Sequence, residues 1–344
     1  MRNAYFILLF LITLSCEKAF LEPEPSTDIE ATFETFWTLV DENYCFFDEK
    51  QVDWDKLYTI NKNKLNNERT KEFQLKFILE DMLNELRDGH VNLHTEEGRS
   101  RYNYQEGFAD NFDWELLYNN YLKDNLFYEK EESFHSAFID SVLYLYIGGF
   151  GSPTINGETT LSPITIEEQF DRLLAQYPTA KGLVIDVRHN GGGNTDNPDA
   201  ILSRLITERT LTHYLRPKNG PAHDDFSEAA PFYLEPRAPY YEKHVALLTN
   251  RSSYSATNYF AATMKAIPEN VTILGDKTGG GAGLPIHKDL PNGWLIRLST
   301  VQLLSNTMQQ IEEGIDPDIV VNMLEEDKAV GKDTILETAL ALFR

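Results

Sequence analysis

Three short segments hold residue types that can carry covalent chemistry. They are Leu86-Arg87-Asp88-Gly89-His90, the turn Asp186-Val187-Arg188-His189-Asn190-Gly191-Gly192-Gly193-Asn194, and the serine-rich run Asn250-Arg251-Ser252-Ser253-Tyr254-Ser255-Ala256. An imidazole with an ordinary pKa of about 6.5 can take a proton from a hydroxyl at neutral pH. His90 is therefore a candidate base, although a histidine ending a helical stretch also suits the helix dipole. Consecutive glycines permit positive φ and close backbone approach, so several N–H groups can converge on one negative atom. The Gly191-Gly192-Gly193 triplet thus reads as an oxyanion hole or anion nest. Phosphate binding ranks behind it, because neither a Walker lysine nor a Gly-x-Gly-x-x-Gly pattern accompanies the triplet. A serine where a strand leads into a helix would meet the positive end of that helix, which stabilises an alkoxide or oxyanion. Serines are also favoured helix caps, so spacing alone does not choose among Ser252, Ser253 and Ser255.

These segments need a scaffold, and the apolar pattern supplies one. From Ile29 to about Leu86 glycine is absent and apolar residues recur at helical spacing, as in Phe33, Phe36, Trp37 and Val40, then Phe73, Phe77, Leu79, Met82, Leu83 and Leu86. From Ser141 onward short apolar runs alternate with helical ones. Strands are predicted over Val142 to Ile147, Leu183 to Val187, His244 to Thr249 and Val271 to Leu274, and helices over Ile166 to Gln176, Pro198 to Ile206 and Ala256 to Ala266. Repeated strand–helix–strand units imply right-handed crossovers and a mostly parallel sheet. Ligands gather at the carboxyl ends of such strands, and both the glycine triplet and the serine run fall there. Between these regions lies an aromatic-rich stretch with Phe108, Phe112, Trp114, Tyr118 and Tyr121, which could wall a groove or simply pack on the body.

Composition narrows the function further. The 344 residues include 54 Asp+Glu against 31 Lys+Arg, a formal net charge of −23, so phosphate backbones and anionic lipid surfaces are repelled and a nucleic-acid partner is not expected. Two cysteines, Cys16 and Cys45, cannot build a disulfide framework or a multi-cysteine metal site. The apolar run Ala4 to Leu14 is short for a membrane span but suits a secretory signal. With Ser15-Cys16 after it, the segment resembles a bacterial lipobox in which Cys16 becomes lipidated. The expected organisation is a signal peptide over 1–15, lipidated Cys16 and a tether over 16–28, a helical domain over 29–93 and a catalytic core over 94–344. The expected location is the cell envelope, in the periplasm or at the outer membrane surface.

In order along the chain, the His90 segment, the strand at Val142 to Phe150, the glycine turn, the serine run, Leu274-Gly275-Asp276-Lys277-Thr278-Gly279-Gly280-Gly281, Leu290-Pro291-Asn292-Gly293 and Glu313-Gly314-Ile315-Asp316-Pro317-Asp318 resemble the S41 peptidases. That family includes the C-terminal processing proteases and the tricorn-like enzymes. The resemblance implies an α/β crotonase- or Clp-protease-like core of ββα units behind an N-terminal helical domain. It implies Ser255 as nucleophile, with Gly192 or Gly193 and Ala256 supplying oxyanion N–H groups. The processing proteases use a lysine in the segment here reading Thr278 to Gly283, where none occurs; Lys277 and Lys288 would each need a register shift. The tricorn-like branch uses histidine and glutamate, which implies His90 as general base and Glu313 as supporting carboxylate, with the adjacent Glu312 as the alternative. About fifty residues separate His90 from Val142, too few for the PDZ domain many relatives insert there.

The expected function is a serine peptidase cleaving peptide or protein substrates in the cell envelope, with no metal and no organic cofactor. A different class is a non-catalytic relative that binds a peptide or apolar ligand in the same cleft. An acyl-CoA enzyme of crotonase type shares the oxyanion geometry but suits neither a secretory signal nor an acidic surface.

Overall fold

The computed structural model describes residues 28–65, 70–130, 134–151, 163–266 and 270–344. The segment that resembles a lipobox, with Cys16, lies outside them.

The helical region begins as its sequence dictates. Asp28 caps α1 (Ile29–Asn43), its carboxylate accepting from the N–H groups of Glu30 and Ala31 at 2.9 and 3.1 Å. Phe33, Phe36 and Val40 share one face of α1 and are fully buried. They pack with Trp54 of α2 (Trp54–Lys62) and with Leu75, Leu79, Met82 and Leu83 of α3 (Glu72–Glu85). Phe73 and Phe77, expected in this core, are 56% and 59% exposed. They are four residues apart and occupy the face of α3 opposite Leu75 and Leu79, so the apolar repeat combines two sides of one helix. The core does not close on itself: Leu290, Trp294, Ile296 and Leu298 from the far end of the chain complete it. Each such apolar side chain contributes about 1.5–3 kcal/mol on burial, enough to clamp these helices onto a sheet.

That sheet is antiparallel, whereas the apolar pattern predicts only a parallel one. It contains β1 (Asn92–Thr95) and β2 (Gly98–Arg99), then later β7 (Thr210–Pro217), β8 (Ala230–Leu234), β11 (Gly283–Asp289) and β12 (Leu295–Ser305), in the order β2-β1-β12-β7-β8 with β11 also paired to β12. The second sheet holds β3 (Leu126–Lys130), β4 (Phe134–Ile139), β5 (Val142–Ile147), β6 (Leu183–Asp186), β9 (Val245–Thr249), β10 (Val271–Gly275) and β13 (Ile319–Val320), ordered β13-β10-β9-β6-β5-β4-β3. Neighbours from β13 through β5 are parallel, and β4 and β3 continue antiparallel. Strands β5, β6 and β9 are buried along their whole length, the pattern of a parallel sheet covered on both faces. The covers include α4 (Pro163–Gln176), α5 (Asp196–Leu205), α6 (Ala256–Ala266) and α7 (Thr334–Ala341). The predicted mostly parallel sheet is therefore one of two. The aromatic stretch is largely packing: Trp114, Leu117 and Tyr121 join the core under α7, and Phe112 stacks on Tyr146 at 5.6 Å.

Strand order sets which loops meet. Those leaving β6, β9 and β10 lie side by side, and the pairing Asn92↔Arg297 brings the end of the helical region to them.

Candidate active site

Ser255 stands between β9 and α6 at φ 61°, a conformation that costs an L-residue roughly 1–2 kcal/mol. The neighbouring backbone holds it there. Its N–H donates to the Gly280 carbonyl at 2.9 Å, Tyr254 N–H donates to the Asn190 carbonyl at 3.0 Å, and its own carbonyl accepts from Tyr259 N–H at 3.0 Å. The ambiguity among serines disappears in the hydrogen bonds. Ser253 Oγ donates to the Val187 carbonyl at 2.8 Å, and Ser252 Oγ accepts from Gln105 at 2.8 Å. Ser255 Oγ instead lies 2.9 Å from His90 Nε2.

His90 reaches this point from the turn between α3 and β1. Asp88 shapes the turn by accepting the His90 N–H at 2.7 Å, and Arg297 of β12 donates to the His90 carbonyl at 3.0 Å. The imidazole packs against Tyr254 with ring centres 4.9 Å apart, and Tyr104 stacks on Tyr254 at 4.0 Å. Gly89 is required here, since a Cβ would come within 2.8 Å of the Tyr104 ring and 2.9 Å of the Tyr254 hydroxyl. Burial lowers the His90 pKa to about 4; Asp88 opposes that shift, and Arg297 and Arg101 add to it. The ring is thus neutral at physiological pH, with Nε2 available to accept the hydroxyl proton. Its Nδ1 is buried with no hydrogen-bond partner among the described residues.

The glycine triplet closes the other side. Gly192 N–H donates to Asn190 Oδ1 at 2.9 Å. It is therefore occupied within the turn, and the expectation that Gly192 supplies an oxyanion donor is corrected. Its glycine is needed for space: at φ 94° a Cβ would stand 2.6 Å from the Tyr254 carbonyl and 2.7 Å from Ser255 Cβ. The N–H groups of Gly193 and Ala256 have no acceptor among the described residues, and both residues line a cavity together with Ser255 and His90. Below the turn, Arg188 is fully buried. It donates to Asp186 at 2.7 Å and to Asp333 at 2.8 Å, while Tyr144 donates to Asp186 at 2.8 Å. Asp333 also caps α7, so this network ties the turn to the C-terminal helix.

The two glutamates part company. Glu313 is 66% exposed and pairs with Lys50 Nζ at 2.6 Å. Neither a hydrogen bond nor an ion pair joins it to His90, which corrects its expected role as supporting carboxylate. Glu312 is the buried one: its Oε1 lies 3.1 Å from Lys50 Nζ and its Oε2 accepts the Ala282 N–H at 2.6 Å. Burial and the charge of Asp88 push its pKa up, while Lys50 holds it down. Lys50 comes from the helical region and is 5% exposed, and nothing in its sequence context marks it. Asp88 is equally buried, accepting from Ser299 at 2.8 Å and Tyr254 at 3.4 Å, and its charge is the one that favours protonated His90. Lys277 pairs with Asp316 at 3.7 Å and lines neither cavity at Ser255. Cys45 offers no rival nucleophile, because burial, then Asp88 and Glu312, raise its thiol well above the ordinary value. Among the described residues no group of three or more His, Cys, Asp or Glu side chains is placed to hold a metal ion, and no helix is long and apolar enough to cross a membrane.

A buried parallel sheet with strand-end loops that converge on a hydroxyl, backed by an antiparallel sheet bearing an imidazole, defines an α/β fold of the Clp-protease-like class. The profile described as "Peptidase family S41" matches residues 141–321, just over half of the 344, and the "Tricorn protease C1 domain" profile matches residues 25–85. The chain belongs to peptidase family S41.

Among solved structures, one from Parabacteroides merdae, provisionally assigned as a peptidase, superposes with a TM-score of 0.83 at 38% identity, covering 92% of this chain and 97% of that one. Tricorn protease homolog 1 of Streptomyces coelicolor is 30% identical over 178 residues, 51% of this chain and 15% of its own length. The tricorn protease of Thermoplasma volcanium is 24% identical over 245 residues, 69% of this chain and 20% of its own. The chain thus spans about a fifth or less of the tricorn relatives it matches.

Proposed function

We propose that this protein is a serine peptidase acting on peptide or protein substrates. The observation that carries the reading is the 2.9 Å approach of His90 Nε2 to Ser255 Oγ, with the strained serine facing two unengaged amides. In this mechanism His90 takes the Ser255 proton as Oγ attacks the scissile carbonyl. The Gly193 and Ala256 N–H groups stabilise the oxyanion, and His90 then returns the proton to the leaving amine. Water repeats the cycle on the acyl-enzyme. Asp88 stabilises the imidazolium through its charge and the turn it holds, and Glu312, kept in place by Lys50, supports the same buried region.

One observation favours the binding-only alternative: no side chain among the described residues accepts from His90 Nδ1 to fix the tautomer that a base requires. A fluorophosphonate probe separates the two. Labelling of the wild type that vanishes in Ser255→Ala supports an activated serine, and absence of labelling in the folded wild type favours a passive cleft. We also propose that Cys16 is lipidated and anchors the protein in the cell envelope. Incorporation of labelled palmitate that is lost in Cys16→Ala tests this.

A further inference from the structure

The His90 ring is short of hydrogen bonds for a base. Its Nε2 meets Ser255 Oγ, but Nδ1 is buried without a partner among the described residues, so one hydrogen bond alone orients the imidazole. Aromatic packing takes the place of the second. Tyr254 lies against the imidazole with ring centres 4.9 Å apart, and Tyr104 stacks on Tyr254 at 4.0 Å and 17°. Space for both rings is reserved by glycines: a Cβ on Gly89 would meet the Tyr104 ring at 2.8 Å, and one on Gly281 would meet the Tyr254 ring at 2.4 Å.

Tyr104 is delivered by the chain leaving β2, which crosses the serine run in the opposite direction. Gln105 Nε2 donates to Ser252 Oγ at 2.8 Å, the Arg251 guanidinium lies 3.9 Å from the centre of the Phe108 ring, and Asn250 Nδ2 donates to the Asp110 carbonyl at 2.6 Å. Numbers rise on one segment as they fall on the other. Phe112 then stacks on His189 of the glycine turn at 5.6 Å. Apart from Ser253, which turns inward to Val187, each residue from Asn250 to Tyr254 meets this crossing segment. Residues 104–112 therefore hold the loop that carries Ser255 and, through Tyr254, the ring of His90.

Two consequences follow for the imidazole. Stacked tyrosines make a stiff wall at low entropic cost, since each side chain has only two torsions to fix. Tyr104 lines neither cavity at Ser255, so its influence passes through Tyr254. The wall also keeps water out. Burial does most to lower the His90 pKa; Asp88 on its own turn opposes it, and Arg297 on β12 and Arg101 on the crossing segment add to it. Arg99, His94 and His287 line the same cavity. With the Tyr104 ring gone, Tyr254 has room to swing aside, and the imidazole gains both water and freedom to turn from Ser255.

We propose that Tyr104 is a positioning residue for His90: acting through Tyr254, it holds the imidazole toward Ser255 and shields it from water, with the crossing segment as its mount. The assignment rests on the peptidase reading for its effect on turnover but not for its effect on the His90 ring. The ring of Tyr104, not its hydroxyl, carries the role, because that hydroxyl makes only a 3.4 Å contact with Arg101.

Wild type, Tyr104→Phe, Tyr104→Ala and Phe108→Ser are compared by two readouts, with melting temperatures as the check on folding. The first is the His90 titration followed by NMR with ¹³C at the histidine ring ε1 carbons, the signal being assigned by its loss in His90→Gln. The second is steady-state peptide cleavage. In Tyr104→Ala the His90 pKa should rise from about 4 toward the ordinary value of about 6.5. Its kcat should fall about ten- to a hundredfold, the scale of a misplaced catalytic group, with KM within about twofold. Tyr104→Phe should restore both. Phe108 is 50% exposed, so Phe108→Ser keeps the test open if Tyr104→Ala does not fold, and it should show smaller changes in the same directions. An unmoved titration, a moved titration with unchanged kcat, or a loss that phenylalanine does not repair overturns the role of Tyr104. A folded wild type that cleaves nothing defeats the peptidase reading instead, and the titration then decides the positioning by itself.

Discussion

Ser255 and His90, the proposed nucleophile and base, are held in opposite ways. Ser255 sits on a turn whose backbone is fixed by Gly280, Asn190 and Tyr259, above a parallel sheet braced by the Asp186–Arg188–Asp333 network. His90 sits on a turn between a helix and an antiparallel sheet, fixed by one carboxylate and one arginine, with no partner for Nδ1 among the described residues. Geometry over-determines the serine. The histidine is set largely by its electrostatic surroundings, in which burial works against Asp88. One side therefore breaks through shape and the other through charge.

The contrast between the two sides is largest at the reacting atoms. Ser255→Ala should lower kcat by about 10⁶, the scale at which loss of a serine nucleophile leaves only binding and oxyanion catalysis. Peptide hydrolysis followed by mass spectrometry, with an unchanged melting temperature, checks it. On the shape side, Arg188→Ala leaves Asp186 and Asp333 buried without their cation. Breaking a buried pair in this way should cost about 3–5 kcal/mol in a denaturation curve, with activity per folded molecule much less affected. Gly192→Ala should cut kcat at nearly unchanged KM, because its Cβ would meet the Tyr254 carbonyl and Ser255 Cβ at 2.6 and 2.7 Å and displace the nucleophile. On the charge side, Glu313→Gln should alter kcat/KM by less than about threefold, since Glu313 is the solvent-exposed partner and Lys50 keeps its buried contact with Glu312. Glu312→Gln replaces the buried carboxyl that meets Lys50 and the Ala282 N–H and should have the larger effect of the two.

The same contrast separates what is legible in the sequence from what is not. The strands Val142 to Ile147 and Val271 to Leu274 and the helix Ala256 to Ala266 are legible because continuous apolar runs bounded by turns announce buried parallel strands and the helices between them. The antiparallel sheet is not, since β12 pairs with β1 from the other end of the chain and β11 is mostly exposed, with no continuous buried apolar run. Gly192 and Gly193 are recognisable as glycines with a task, but their division of labour depends on Asn190, whose side chain occupies one N–H. Glu312 and Glu313 are indistinguishable as letters; burial beside Lys50, brought from the helical region, separates them. Tyr104 and Lys50 carry no sequence signal of their own, because each acts through a long-range contact, with Tyr254 and Glu312 respectively.

The central claim is that a neutral His90 activates Ser255, and the pH dependence of fluorophosphonate labelling tests it most directly. His90 must be unprotonated to accept the serine proton, and its pKa is lowered to about 4, so the second-order labelling rate should hold from neutral pH down to about pH 5 and fall to half near pH 4. In His90→Ala the rate should collapse across the whole range. Labelling of His90→Ala at the wild-type rate, or a wild-type acid limb that appears only at alkaline pH as a lysine base would give, would contradict the account.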